Sequence, residues 1–243
     1  MDAVWIAIGG FIFLAVTLEA VTGFGSIVIA LALGAQLVPM ESLLPVLVPL
    51  SVCLSSLMVW RHREKIDRPL LLRQLLPGML IGTLLGYLVK PYLDAGLLRQ
   101  LFGLLIIWFA ARELWRLRHA TPFAKRPTWL TRVLTGLAGV THGLFASGGP
   151  LLVYAVSGLP LDKARFRATL AAVWLTLNGV LTVAFALDGR LQPALPLVAA
   201  YIPLLLMGVY LGEKLHHRVS ERHFRIAIYI LLLVTGALLA RPR

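Results

Sequence analysis

An all-α polytopic membrane protein is the fold class this sequence predicts. It should consist of two inverted repeats, each a broken or hairpin first element followed by three transmembrane helices. Three observations carry the prediction. Of 243 residues, 59% are hydrophobic and only 14% charged, with mean hydropathy +0.85; about a quarter of the residues in a soluble domain are charged. Apolar runs of roughly 20 residues, the length that crosses a bilayer core, follow one another almost without pause. The chain also reads twice. Pro77, Gly82 and Gly86 recur as Pro203, Gly208 and Gly212, and Gly23 and Arg99 recur as Gly149 and Arg225, all at a step of 126. A duplicated hydrophobic unit is how many secondary transporters are built, with the substrate site where the copies meet.

The apolar runs form eight blocks, about 4–36, 43–60, 70–89, 97–115, 130–157, 167–187, 193–213 and 224–240. Blocks one and five are too long for simple spans. Block one is interrupted by Glu19, Thr22, Gly23, Phe24, Gly25 and Ser26, and block five by His142, Gly143, Ser147, Gly148, Gly149 and Pro150. Glycine and proline inside a membrane segment mark places where a helix can open.

Charge sets the direction of each block. If block five enters and leaves on one side, 18 of the 23 Lys and Arg residues face the cytoplasm; if it crosses once, only 14 do. The positive-inside bias prefers the hairpin. Loops equivalent by the repeat then carry opposite charge: the basic loop after block two corresponds to the nearly neutral one at Asp188-Gly189-Arg190. That is the pattern of copies facing opposite ways. Block one becomes a hairpin by equivalence to block five. The repeats are placed at 1–118 and 129–243, joined by a cytoplasmic linker at 119–128 containing Pro122 and Pro127.

The net charge of +12 sits in short loops between apolar blocks. It fits topology signals and an anionic lipid surface, and argues against nucleic acid as a partner. The lone Cys53 excludes a disulfide framework and a cysteine metal site. The N-terminus lacks a basic leader and is expected to be a first membrane element. No G-x-x-x-x-G-K-[ST] loop for ATP and no His-Glu-x-x-His zinc motif occurs, so no cofactor or metal is expected. The G-x-S-G pattern of a serine intramembrane protease would need glycine where Phe145 stands, so an enzyme is disfavoured.

Glu19 followed by Thr22-Gly23-Phe24-Gly25-Ser26 is the sharpest candidate site. An acid inside an apolar segment costs several kcal/mol unless paired, protonated or wetted. An opened backbone exposes N–H groups, and a helix restarting at Ser26 aims its positive end at an anion. The plainer reading is that Gly23 and Gly25 only permit close helix packing; Gly149 at the equivalent position favours the break. In block five, Ser147, Gly148 and Gly149 suggest a second opening, with Pro150 suited to the first turn of the restarting helix. His142 either serves an anion or proton, or bonds a neighbouring helix. Asn178, deep in block six, either contacts substrate or locks two helices. Arg165 and Arg167 at the mouth of block six are explained more cheaply as topology anchors than as substrate contacts. Glycines 78, 82, 86, 208 and 212 mark packing faces. The six tryptophans, Trp174 among them, are expected mainly as interfacial anchors near block ends.

The run T-G-F-G-S in block one, then S-L-M-V-W-R-H-R-E-K-I-D and P-G-M-L-I-G-T-L-L-G-Y-L, resembles the first half of the TauE/SafE family of sulfite exporters. The second half, G-L-A-G-V-T-H-G-L-F-A-S-G-G-P-L-L-V-Y followed by G-L-P-L-D-K-A, is similar to that family's second glycine-rich repeat. The likeness covers nearly the whole chain. It implies a multi-pass transporter of the bacterial cytoplasmic (inner) membrane for small sulfur-containing anions, such as sulfite or organosulfonates like sulfoacetate. The family often shows a fuller G-x-G-G-G motif in both halves. Here Gly23-Phe24-Gly25 and Ser147-Gly148-Gly149 stand in its place.

The reading is therefore a secondary transporter whose substrate contacts are Thr22, Gly23, Phe24, Gly25, Ser26, His142, Ser147, Gly148, Gly149 and Asn178. Its partners are a small anion, the lipid bilayer and protons, and the sequence leaves a homodimer open. Glu19 is the candidate for proton coupling, because a protonatable carboxylate beside an anion links release to proton movement. A passive anion channel of the same fold, an intramembrane enzyme and an accessory subunit are the rivals.

Overall fold

The computed structural model describes residues 2–22, 25–119, 127–159, 161–215 and 221–241, all helix and connecting turns without a strand among them. The eight blocks appear as helices. Block one is α1 (Ala3–Thr22) and α2 (Ser26–Gly34), and block two is α3 (Met40–His62). Block three begins with the single turn α4 (Arg68–Leu70) and a π-helical turn, Leu71–Leu75, and continues as α5 (Leu76–Val89). The wide turn lies just before Pro77, which lacks an N–H and crowds the preceding turn. Then follow α6 (Ala95–His119), α7 (Thr128–Phe145) with α8 (Gly149–Val156), α9 (Lys163–Leu187), α10 (Leu195–Leu215) and α11 (Glu221–Ala240). Among the described residues, six segments are long and apolar enough to cross a membrane. At a rise of 1.5 Å per residue, α1 is about 30 Å long and spans the hydrocarbon core; α2 and α8 are about half that or less.

Aspartates start the turns. Asp67 accepts from Leu70 N–H, Asp94 from Leu97 N–H and Asp162 from Arg165 N–H, at 2.8–3.0 Å. Each supplies an acceptor for one of the amides that a helix start leaves unpaired.

Four tight pairs organise the bundle: α5 with α7, α1 with α10, α3 with α9 and α6 with α11. Lipid is as apolar as leucine, so close backbone contact and buried hydrogen bonds hold such pairs more than apolar burial does. The α5–α7 seam is built of glycine. A Cβ on Gly82 would lie 2.3 Å from Gly136 O, and one on Gly143 would lie 2.2 Å from Thr83 O. Gly208 and Gly212 do the same work against Phe13, Val16, Thr17 and Ala20 of α1. The repeat step carries the α5–α7 pair onto the α10–α1 pair, and it maps α3–α9 and α6–α11 onto themselves.

Directions follow from contacts. Gly9 meets Tyr201 while Gly212 meets Ala20, so α1 and α10 run parallel. Asp67, just beyond α3, donates its N–H to Thr169 Oγ1 near the start of α9, while Asn178 Nδ2 donates to Ser51 Oγ farther along. Helices α3 and α9 are therefore antiparallel. Gly103 meets Ala240, and Phe109 meets Tyr229, so α6 and α11 are antiparallel too. At one end of the bundle Arg61 pairs with Glu213, joining the ends of α3 and α10. Elsewhere Tyr87, Asp188 and Arg190 join the ends of α5 and α9 by hydrogen bonds, and Arg190 stacks over Phe185.

The surface is apolar where lipid would touch it. Ile81, Leu84, Leu85 and Leu88 of α5 and Leu206, Met207 and Tyr210 of α10 are all exposed. Trp60, Trp115 and Trp129 are exposed near helix ends, as interfacial anchors would be. Trp174 is not: it is buried in the middle of α9 and stacks on His142 at 5.9 Å between centroids. Block six carries it to the interior because its ring faces α7, which hydropathy cannot reveal.

Candidate functional site

Both long blocks are broken, each beside a left-handed residue. Gly25 has φ +107°, a region where a side chain would be strained, and α2 restarts directly after it. In block five Ala146 takes φ +51° after α7 ends, and α8 restarts at Gly149. The second break is clamped: Gly148 N–H points to His142 Nδ1 at 3.4 Å, and a Cβ on Gly148 would lie 2.3 Å from Ala138 O.

Glu19 closes the first break. Its Oε2 accepts the Ser26 N–H at 2.6 Å, so the acid near the end of α1 sits at the positive start of α2. The anion-attracting amide predicted for this helix is thus occupied by the chain's own carboxylate. Arg167 lies beside it, donating from Nη2 to Ala20 O at 2.8 Å, within electrostatic reach of Glu19.

Two cavities flank Glu19. The smaller, about 30 Å³, lies between the breaks and is lined by Glu19, Gly25, Ser26, Ser51, Ala146, Ser147, Gly149, Trp174 and Asn178. It has room for water but none for an organosulfonate. The larger, about 220 Å³, runs from Glu19 and Ser55 past Met58 to His62 and Lys65 at the end of α3, and to Ala164 and Arg167 at the start of α9. It is a vestibule with two cations and room for a small oxyanion. Ser55 Oγ, buried in its wall, has no hydrogen-bond partner.

The structure therefore brings together most of the expected residues. Glu19, Gly25, Ser26, Ser147, Gly149 and Asn178 share one cavity. Thr22 is the last residue of α1; Gly23 and Phe24 lie outside the described residues, as does 120–126 of the linker. His142 lines neither cavity and reaches the site through Trp174, on which it stacks, and through Asn178, which its ring faces. Arg165 and Arg167 part company: Arg165 is exposed, whereas Arg167 is half-buried and lines the vestibule. Ser51, Ser55, His62 and Lys65 were not anticipated. Two hydroxyls four residues apart in an apolar span put a polar stripe on one face of α3, and that signal was there to be read.

Two broken helices meeting at internal polar cavities, in a bundle with an apolar exterior, define a multi-pass membrane protein built like transporters with discontinuous helices. The chain belongs to the TauE/SafE family: residues 8–239 match the family described as "Sulfite exporter TauE/SafE". It is a membrane transporter of the cytoplasmic (inner) membrane and not an enzyme. A relative from Comamonas testosteroni, named "Probable inner membrane transporter protein TsaS", is 31% identical over 167 residues, 67% of this chain and 68% of the relative. Another, from Cupriavidus necator and named "Probable sulfite/organosulfonate exporter TauE", is 27% identical over 231 residues, 92% of this chain and 89% of the relative. No solved structure matches the chain.

Proposed function

We propose that this chain is a secondary transporter that exports a small sulfur-containing anion, sulfite or an organosulfonate such as sulfoacetate, through inverted repeats. The observation that carries this is the vestibule, a 220 Å³ cavity with Arg167 and Lys65 on its wall and the buried Glu19 at its inner end. A sulfonate entering it meets a guanidinium, which suits oxyanions geometrically, and the unpartnered Ser55 hydroxyl. The family description and the name of the Cupriavidus necator relative support the substrate class. Antiparallel α3–α9 and α6–α11, each pair made of repeat-equivalent helices, supports inversion. The vestibule opens at the end carrying Lys65, which the charge split makes cytoplasmic, as an exporter requires for loading.

Glu19 is the coupling group in this reading. Ionised, it repels an anion in the vestibule; protonated, it does not, so proton and substrate favour each other. Binding measured on purified protein against sulfite, sulfate, sulfoacetate, taurine and carboxylates tests the substrate. Tight binding of a carboxylate with none of any sulfur oxyanion would overturn it. A saturable flux that follows an imposed pH gradient separates the transporter from a passive channel.

A further inference from the structure

The small cavity between the breaks offers oxygen to its occupant. Glu19 contributes a carboxylate, Ser51 and Ser147 hydroxyls, and Asn178 a side-chain amide. Ser147 and Asn178 are 2% and 1% exposed; Ser147 Oγ has no hydrogen-bond partner, and Asn178 Oδ1 has the His142 ring beside it, which still leaves it a lone pair for an occupant. Asn178 is held in place because its Nδ2 donates to Ser51 Oγ at 3.1 Å, which leaves Oδ1 as the acceptor. Buried acceptors of this kind go unpaired only at a cost that a ligand or water removes.

Charge decides which ligand. The amide that begins α2 is satisfied by Glu19, so it offers nothing to a second anion. An anion placed here would also lie against that carboxylate, and like charges repel strongly away from bulk water. Helix α7 ends at the cavity wall at Ala146 with the negative end of its dipole, while α8 begins there at Gly149 with the positive end, so these two termini offset each other and the Glu19 carboxylate sets the sign. About 30 Å³ admits a small ion or water and excludes a sulfonate.

We propose that this cavity is a sodium site, one Na⁺ held by the Glu19 carboxylate, Asn178 Oδ1 and the hydroxyl oxygens of Ser51 and Ser147. Oxygen-only ligation is what hard cations take, and discontinuous helices hold coupling ions in this way. One carboxylate balances one monovalent charge, while Arg167 beside it is balanced by the anion in the vestibule; a divalent ion would leave a net charge inside the membrane. The proposal deepens the transport reading and rests on it for its purpose: the ion neutralises Glu19 from one side while the anion occupies the vestibule on the other. Na⁺ and a proton neutralise the same carboxylate and are alternatives at one position, with Arg167 the charged group facing it from α9.

The test is equilibrium binding of ²²Na⁺ to the purified full chain in detergent, in choline medium at mildly alkaline pH. The expected result is saturable binding near one ion per chain, displaced by unlabelled Na⁺ and not by equal K⁺. Asn178→Ala and Ser147→Ala should each weaken it at least tenfold, and Arg165→Ala should not. Absence of saturable binding to the wild-type chain overturns the site, as does displacement by equal K⁺ or affinity unchanged in both cavity variants. Occupancy that follows chloride and not sodium overturns it as well. Sulfite binding measured in sodium-free choline medium separates the two claims. Sulfite bound without a sodium site removes the cation and leaves the transport reading; sodium bound without any sulfur anion keeps the site and removes that reading.

Discussion

The Glu19 carboxylate and the Ser26 backbone N–H, seven residues apart, are joined by a 2.6 Å hydrogen bond that closes the break between α1 and α2. One side chain thereby caps a helix, walls a small cavity and faces a larger one. The structural and the coupling roles of Glu19 can be separated by substitution. Glu19→Gln keeps a carbonyl oxygen for Ser26 N–H, so the chain should fold and bind substrate, yet pH-driven flux into vesicles should vanish. Glu19→Ala leaves that amide unpaired and should lower stability by about 1–3 kcal/mol. Undiminished pH-driven uptake by Glu19→Gln would take Glu19 out of coupling.

Arg167 and Arg165 should behave oppositely. Only Arg167 lines the vestibule, and a charge-assisted hydrogen bond to an oxyanion contributes about 1.5–3 kcal/mol. Arg167→Gln should raise the substrate Kd by roughly 10- to 100-fold, and Arg165→Ala should leave it unchanged. Isothermal titration with the best-bound sulfur anion measures both. Equal losses would mean that the arginines act only through general surface charge.

The blocks, their order and both breaks were legible because they depend on local chemistry: apolar length, glycine, and proline. Gly25 and Ser147–Gly149 do mark the openings. What was not legible depends on helical phase and on the return of the chain. Residues 165 and 167 lie about 200° apart around a helix, and nothing in the sequence of α9 says which faces inward. The same phase carries Trp174 into the interior against His142. Glu19 could be seen as a costly acid, but its partner, two turns away along the sequence, appears only once α2 folds back on α1. Ser51 and Ser55 share a face of α3 by their spacing, which the sequence displays, but only the cavities beside them give that face a role.

Glycines in the α5–α7 seam should differ sharply in tolerance. A Cβ on Gly82 would strike the α7 backbone at 2.3 Å, whereas one on Gly136 meets nothing within 4 Å. Gly82→Ala should force the helices apart and cost about 1–3 kcal/mol or more. Gly136→Ala should be neutral, or stabilising by up to about 1 kcal/mol through helix propensity. Thermal unfolding in detergent compares the two, and equal Tm values would show that the seam is looser than its contacts indicate.

Membrane orientation gives the last test. The 18-to-5 charge split requires 65, 125, 163 and 218 on the cytoplasmic face and Gly189 outside. Contacts agree where the chain is described: Arg61 beside Lys65 meets Glu213, and Tyr87 meets Asp188 and Arg190, so ends assigned to one face touch each other. Cys53 is free and exposed, so it must first be replaced. Single cysteines at the five positions can then be labelled with an impermeant maleimide from each side of intact and inverted vesicles. Position 189 should react from outside, and 65, 125, 163 and 218 only in inverted vesicles. The decisive pair is 163 and 218, which flank block six and block seven. External labelling of both would mean that block five crosses once, and the inverted relation between the repeats would fail with it.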